Sequence, residues 1–237
     1  MGVGSTERTL VGSLFSVDLE APLRRRLGWL GLHSLGFTGV AFAVPRALEV
    51  EFAGLVSVFL LAASLRDPMV RLLEENRQRI WEGEERAFVV NRATSLSLLA
   101  LFLGAFGGYL LIAQWVRPMP LSATFGVVVD AVTIAPDGSL LQREHFGSVG
   151  SILGHNLSVM VGIFAISTIY RAYGAMLVLS WNAAVWATVL SVLVARAVEA
   201  VSASRLVVVC GSAVGVLPHL TAEALGFCVA AIAAILP

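Results

Sequence analysis

Two ionisable side chains in the last apolar stretch of the sequence, His219 and Glu223, stand four residues apart, which on a helix is about one turn. At that spacing the glutamate can accept an imidazole N–H and hold the ring, leaving the other nitrogen for a partner or a proton. Pro218 directly precedes the pair, and proline suits the first turn of a helix, where its missing N–H has no acceptor in any case. A helix break and restart is therefore expected there. Upstream, "GHNLS" supplies His155, Asn156 and Ser158, and "LSWNAAVW" supplies Ser180 and Asn182. Three uses fit His155, Asn156, Asn182, His219 and Glu223: a hydrogen-bonded cluster that fixes helix register, a polar path for a solute or ion, or hydrolysis. The last needs Ser212 or Cys210 as nucleophile beside His219 and an oxyanion site, and "CGSAVG" matches no nucleophile motif.

The medium around these side chains follows from composition. The 237 residues are 57% hydrophobic and 14% charged, against about 25% charged in ordinary soluble domains. Mean hydropathy is +0.85. These values define a membrane protein. A net charge of +0, with no basic patch interleaved with aromatics, argues against a nucleic-acid partner. The two cysteines, Cys210 and Cys228, lie in apolar sequence without ligand spacing, so neither a zinc site nor a disulfide framework is indicated, and no cofactor is expected. The amino terminus lacks the positive region, apolar core and cleavage site of a secretory signal.

A helix needs about 20 apolar residues to cross the hydrocarbon layer. Charge-free windows of that size occur at Ala93–Val116, His145–Tyr170 and Ala172–Ala195. Leu27–Val44 is a fourth, ending at Pro45; Phe52–Leu65 is short and is expected to recruit Ala47–Val50, forming a tight hairpin with the preceding span. Leu206–Pro237 is too long for one upright crossing and is expected either to kink at Pro218 or to form two half-helices. The expected fold is thus all-α, a polytopic transmembrane bundle of about six spans. Its divisions are an amino-terminal segment 1–26, a hairpin 27–65, a charged connector 66–92 and a core 93–237.

Arginine supplies all sixteen positive charges besides histidine, and its distribution sets orientation. Arg24, Arg25 and Arg26 precede the first span, and Arg66, Arg71, Arg77, Arg79, Arg86 and Arg92 lie in the connector, which places both stretches and the amino terminus in the cytoplasm. The connector reads as helix, with Asp67–Arg71, Glu75–Arg79 and Glu82–Arg86 as acid-before-base pairs and Gly83 as a bend. It is either a docking surface or a solvated linker. Residues 117–144 carry only Arg117 and Arg143 as basic residues and form the outer loop; "APDG" between two apolar runs predicts a small β-hairpin there. Gly104, Gly107 and Gly108, and then Gly150 and Gly154, have the small-residue spacing that lets helices approach closely.

In its carboxy-terminal half, from about Ala93, the chain resembles the stage II sporulation protein M family. The residues that carry the likeness are Phe146, Ile152 and Asn156; Gly174 to Asn182 in "GAMLVLSWN"; and Leu217, Pro218, His219 and Glu223. Leu220 departs from the glycine usual after Pro-His. The resemblance implies a multi-pass component of the bacterial cytoplasmic membrane, without an active site of its own, that assembles or scaffolds a complex with other membrane or envelope proteins and works as a homo- or hetero-oligomer. The alternative is the membrane subunit of a transporter or permease, energised by a separate cytoplasmic ATPase, since this chain has no phosphate-binding loop.

Overall fold

The computed structural model describes residues 21–83, 85–115, 149–200 and 205–235. These form five helices in chain order: α1 Leu23–Ala47, α2 Ala53–Trp81, α3 Ala87–Trp115, α4 Val149–Ala200 and α5 Arg205–Ile235. Among the described residues there is no strand. The hairpin expected within 117–144 lies outside them. Four stretches are long and apolar enough to cross a membrane: α1, α2, most of α3, and Leu157–Val192 within α4.

α1 begins behind Pro22, whose carbonyl accepts from the N–H groups of Arg25 and Arg26 at 2.8 and 3.1 Å. It ends at a five-residue turn in which Glu49 and Phe52 take positive φ values of 53° and 60°. Each L residue in that region costs about 1–2 kcal/mol. The turn compensates in part through the N–H of Val50, which donates to Pro45 O at 2.9 Å. The tight hairpin is present, but the second helix does not take up Ala47–Val50 to gain length. It extends the other way, continuing through Pro68 and the charged connector as far as Trp81. Residues 66–81 are thus the second half of α2. Of the three expected acid–base pairs, Glu75–Arg79 forms at 3.3 Å, whereas Asp67 meets its neighbour Arg66 at 3.3 Å. Because the helix stops at Trp81, Glu82 and Arg86 no longer share a helical face. Gly83 closes the helix end by donating to Gln78 O at 3.0 Å. A Cβ there would lie 2.9 Å from Arg79 O.

α4 is two limbs. Arg171 has φ 53° and ψ −136°, a conformation that costs an L residue about 1–3 kcal/mol. The break is sharp: a Cβ on Gly174 would lie 2.6 Å from Ile166 O, whereas eight residues of straight helix span about 12 Å. The bend falls on the one charged residue between the apolar windows His145–Tyr170 and Ala172–Ala195.

α5 departs from expectation. It is helical from Arg205 to Ile235 with Pro218 inside it, so the proline neither starts a helix nor separates two. Proline forfeits one backbone hydrogen bond, a loss that a helix packed among others in an apolar medium tolerates through local adjustment.

α3 is the hub, packing against all four other helices; α1 lies chiefly on α3, and α5 chiefly on α4. The fully buried side chains Leu30, Leu61, Met69, Phe102, Tyr109, Met176 and Phe227 draw on every helix. In lipid, apolar burial alone gives helices little reason to associate, so close packing and interior hydrogen bonds carry more of the specificity. The glycines of α3 supply the first. A Cβ on Gly104 would meet Gly31 O and come within 2.9 Å of Ser34 Cβ, and one on Gly108 would lie 2.7 Å from Thr38 Cβ. Gly107 is looser, its nearest neighbour being Leu35 Cδ1 at 3.9 Å, and a Cβ on Gly154 would meet nothing within 4 Å among the described residues. Gly150 belongs to the first turn of α4.

Candidate functional site

Glu223, on α5, faces α4. Its Oε2 accepts the indole N–H of Trp186 at 3.0 Å, and both residues are half-buried. One turn before Trp186 on the same limb stands Asn182, also half-buried; its amide donates to Val178 O at 2.9 Å, back along its own helix. Ser180 is buried and its hydroxyl has no hydrogen-bond partner among the described residues, and Ser158 donates to Gly154 O at 2.8 Å on the exposed side of α4. The side chains of His155, Asn156 and His219 lie outside the described residues, so the expected His219–Glu223 pair does as well. The described partner of Glu223 is Trp186. Trp186 is apolar by residue type, but a buried indole N–H ordinarily needs an acceptor, and that is the signal in the sequence that could have pointed to it.

Further polar ties link other helices. Gln114 Nε2, on α3, donates to Ser191 Oγ of α4 at 3.3 Å, and that hydroxyl donates to Ala187 O at 2.7 Å. Ser57 on α2 donates to the Tyr109 hydroxyl on α3 at 3.2 Å. Ser34 on α1 donates to Leu101 O of α3 at 2.6 Å.

The densest polar group lies where α1 begins, α2 ends and α3 begins. Arg26, only 5% exposed, places one guanidinium nitrogen 2.9 Å from each carboxylate oxygen of Glu75. Glu75 also accepts from Arg79 at 3.3 Å. Arg79 in turn grips Glu85 through two nitrogens, at 2.8 and 2.7 Å. Beside this chain of charges the Asn76 amide donates to Asn91 Oδ1 at 2.9 Å and to Thr94 Oγ1 at 2.8 Å, joining α2 to α3. Arg26 and Glu75 belong to separate segments of the sequence, 49 residues apart, and no local periodicity connects them.

The hydrogen bond from Arg79 holds the Glu85 carboxyl below its ordinary value. A depressed carboxylate pKa adds stability above the unfolded-state value, and that stability is lost as pH falls through the folded-state value. Acidification through and below the usual carboxylate range is therefore expected to loosen the Arg79–Glu85 contact, read as a loss of amide-exchange protection, relative to the intrinsic rate at each pH, at residues 82, 83 and 85. In Glu85→Gln that acid-dependent step should be missing.

Chemically, these groups donate and accept between helices. Among the described residues no three His, Cys, Asp or Glu side chains gather as a metal site, and Cys228 is a free, buried thiol. The described residues are thus all-helical, with four helices long and apolar enough to cross a membrane. Compared with family models, curated proteins and solved structures, the chain matches none.

Proposed function

We propose that this chain is a non-enzymatic, multi-pass component of a bacterial cytoplasmic membrane that assembles or scaffolds a multi-protein complex linked to the cell envelope. The observation that carries the reading is the use of its interior polar side chains. Trp186–Glu223, Gln114–Ser191, Ser57–Tyr109, Asn76–Asn91 and Arg26–Glu75 each join one helix to another. Such ties fix helix register. Six crossings arise if each limb of α4 and α5 passes through the bilayer, and the arginine excess then puts both termini in the cytoplasm. The likeness of Asn156, Asn182, Pro218, His219 and Glu223 to the sporulation-protein motifs supports the same reading. Purification of the full chain from native membranes in mild detergent is expected to bring other membrane or envelope proteins with it in fixed ratio. Recovery of the chain alone, together with turnover of a substrate, would overturn the proposal.

The half-buried Glu223 carboxylate favours one second reading, a transporter subunit driven by a separate cytoplasmic ATPase. It requires solute flux in proteoliposomes that Glu223→Gln abolishes.

A further inference from the structure

Five outward-facing arginines at one end of the bundle lie at one level. Contacts between helices put them on a common scale. Between α1 and α3, Gly31 lies against Gly104 and Thr38 against Gly108. Between α2 and α3, Asn76 meets Asn91 and Thr94, and Ser57 meets Tyr109. Between α3 and α4, Gln114 meets Ser191. Counted from these contacts at about 1.5 Å per residue, Arg24, Arg25, Arg77, Arg92 and Arg171 fall within about 6 Å of one another in height. All five are exposed. That level is the margin of the charge-free run Ala93–Val116, where lipid headgroups begin once α3 spans the hydrocarbon.

What surrounds them differs from helix to helix. On α2, Glu74 stands at the same height, three residues from Arg71 and from Arg77, and is exposed beside them. Neither α1 nor α3 contains an acidic residue. The carboxylates at the facing end of α2 are engaged, Glu75 by Arg26 and Arg79, and Glu85 by Arg79. Among the described residues, Arg24, Arg25 and Arg92 join no ion pair. Three guanidinium groups thus share the foot of the α1–α3 pair at the edge of a low-dielectric layer, where their mutual repulsion is weakly screened. The surface next to them is apolar. One turn along α1 stand Gly28, whose Cβ would meet nothing within 4 Å, and Trp29, with Leu32 a turn further; both large side chains are exposed. Tryptophan at this depth is an interfacial anchor, and Gly28 leaves the surface beside it open.

We propose that the foot of the α1–α3 pair binds an anionic phospholipid, its phosphate held among Arg24, Arg25 and Arg92 and its acyl chains laid along α1 past Gly28, Trp29 and Leu32. Charge selects the headgroup. Guanidinium groups take a phosphate by paired, charge-assisted hydrogen bonds, and neither helix offers a carboxylate to the ammonium of a zwitterionic lipid. The apolar surface of α1 selects a lipid over a soluble phosphate, which would leave that surface uncovered. The inference rests on the membrane-spanning reading and is independent of whether the chain is a scaffold or a transporter subunit.

The test uses the full chain, purified in mild detergent and given equal amounts of phosphatidylglycerol and phosphatidylethanolamine, with the retained lipids counted by native mass spectrometry. The wild-type chain should keep phosphatidylglycerol in preference. Arg24→Gln/Arg25→Gln/Arg92→Gln should weaken that binding about a hundredfold, about fivefold for each arginine, and leave retention of phosphatidylethanolamine as it was. Arg24→Lys/Arg25→Lys/Arg92→Lys keeps the charge and should keep the preference, and Arg46→Gln, at the far end of α1, should change nothing. Helical circular dichroism on the same samples checks folding; if the triple glutamine variant unfolds, Arg24→Gln and Arg92→Gln singly carry the test, each expected to bind about fivefold more weakly. Equal retention of the two lipids by the wild-type chain would overturn the proposal. So would a folded glutamine variant that keeps the preference, a lysine variant that loses it, or displacement of the lipid by inorganic phosphate. Retention of the chain in carbonate-washed membranes, checked before purification, separates failure of this site from failure of the membrane-spanning reading.

Discussion

Glu75→Ala is expected to destabilise the folded chain by about 3 kcal/mol or more, because it removes the carboxylate that neutralises a buried arginine. Arg26 is buried where α1 meets α2, and Glu75 receives it with both oxygens at 2.9 Å. Burial of an ion pair is itself expensive, so the pair adds little over a well-packed apolar one, whereas breaking it leaves a desolvated charge. Arg26→Leu/Glu75→Leu is therefore expected to recover most of what Glu75→Ala loses. Equilibrium unfolding in detergent, followed by helical circular dichroism, compares the two variants. Equal losses in both would mean that the contact acts through shape and not through charge.

The second large effect is expected on α3. Gly104→Ala drives a methyl group into Gly31 O, a backbone atom that moves only if α1 moves, and Gly108→Ala drives one into Thr38 Cβ at 2.7 Å. Overpacking of this kind costs about 1–3 kcal/mol, with Gly104 at the upper end because backbone cannot rotate away. Gly107→Ala meets nothing closer than 3.9 Å, and should be neutral or stabilise by up to about 1 kcal/mol through helix propensity. The same unfolding measurement ranks the three. A result in which Gly107→Ala is as harmful as Gly104→Ala would contradict the packing of α1 on α3.

Much of the architecture was legible because membrane solvent imposes simple rules. Composition alone indicated apolar helices, and the lone charge at Arg171 marked where a long apolar run bends. Other features required three dimensions. Charge content suggested that α2 ends near Leu65, but the helix continues because its inner face stays apolar through Leu65, Met69, Leu72 and Leu73 while the charges point outward. Pro218 read as a break and restart because proline suits the first turn of a helix; in α5 it is carried through. The glycine trio looked equivalent in sequence, yet only Gly104 and Gly108 stand so close to α1 that a Cβ would clash, while Gly107 has room beside Leu35. Of the polar cluster, Asn182 and Glu223 stand out in sequence by type, but their partners do not. Glu223 meets Trp186, a residue counted as apolar, and Asn182 bonds to its own helix.

The central claim is that interior polar groups of this bundle tie helices together, and the Trp186–Glu223 contact tests it most directly. A double-mutant cycle of Trp186→Phe and Glu223→Gln, read by unfolding of the full chain in detergent, is predicted to give a coupling of about 1–2 kcal/mol. Strictly additive losses, with no coupling between α4 and α5, would contradict it.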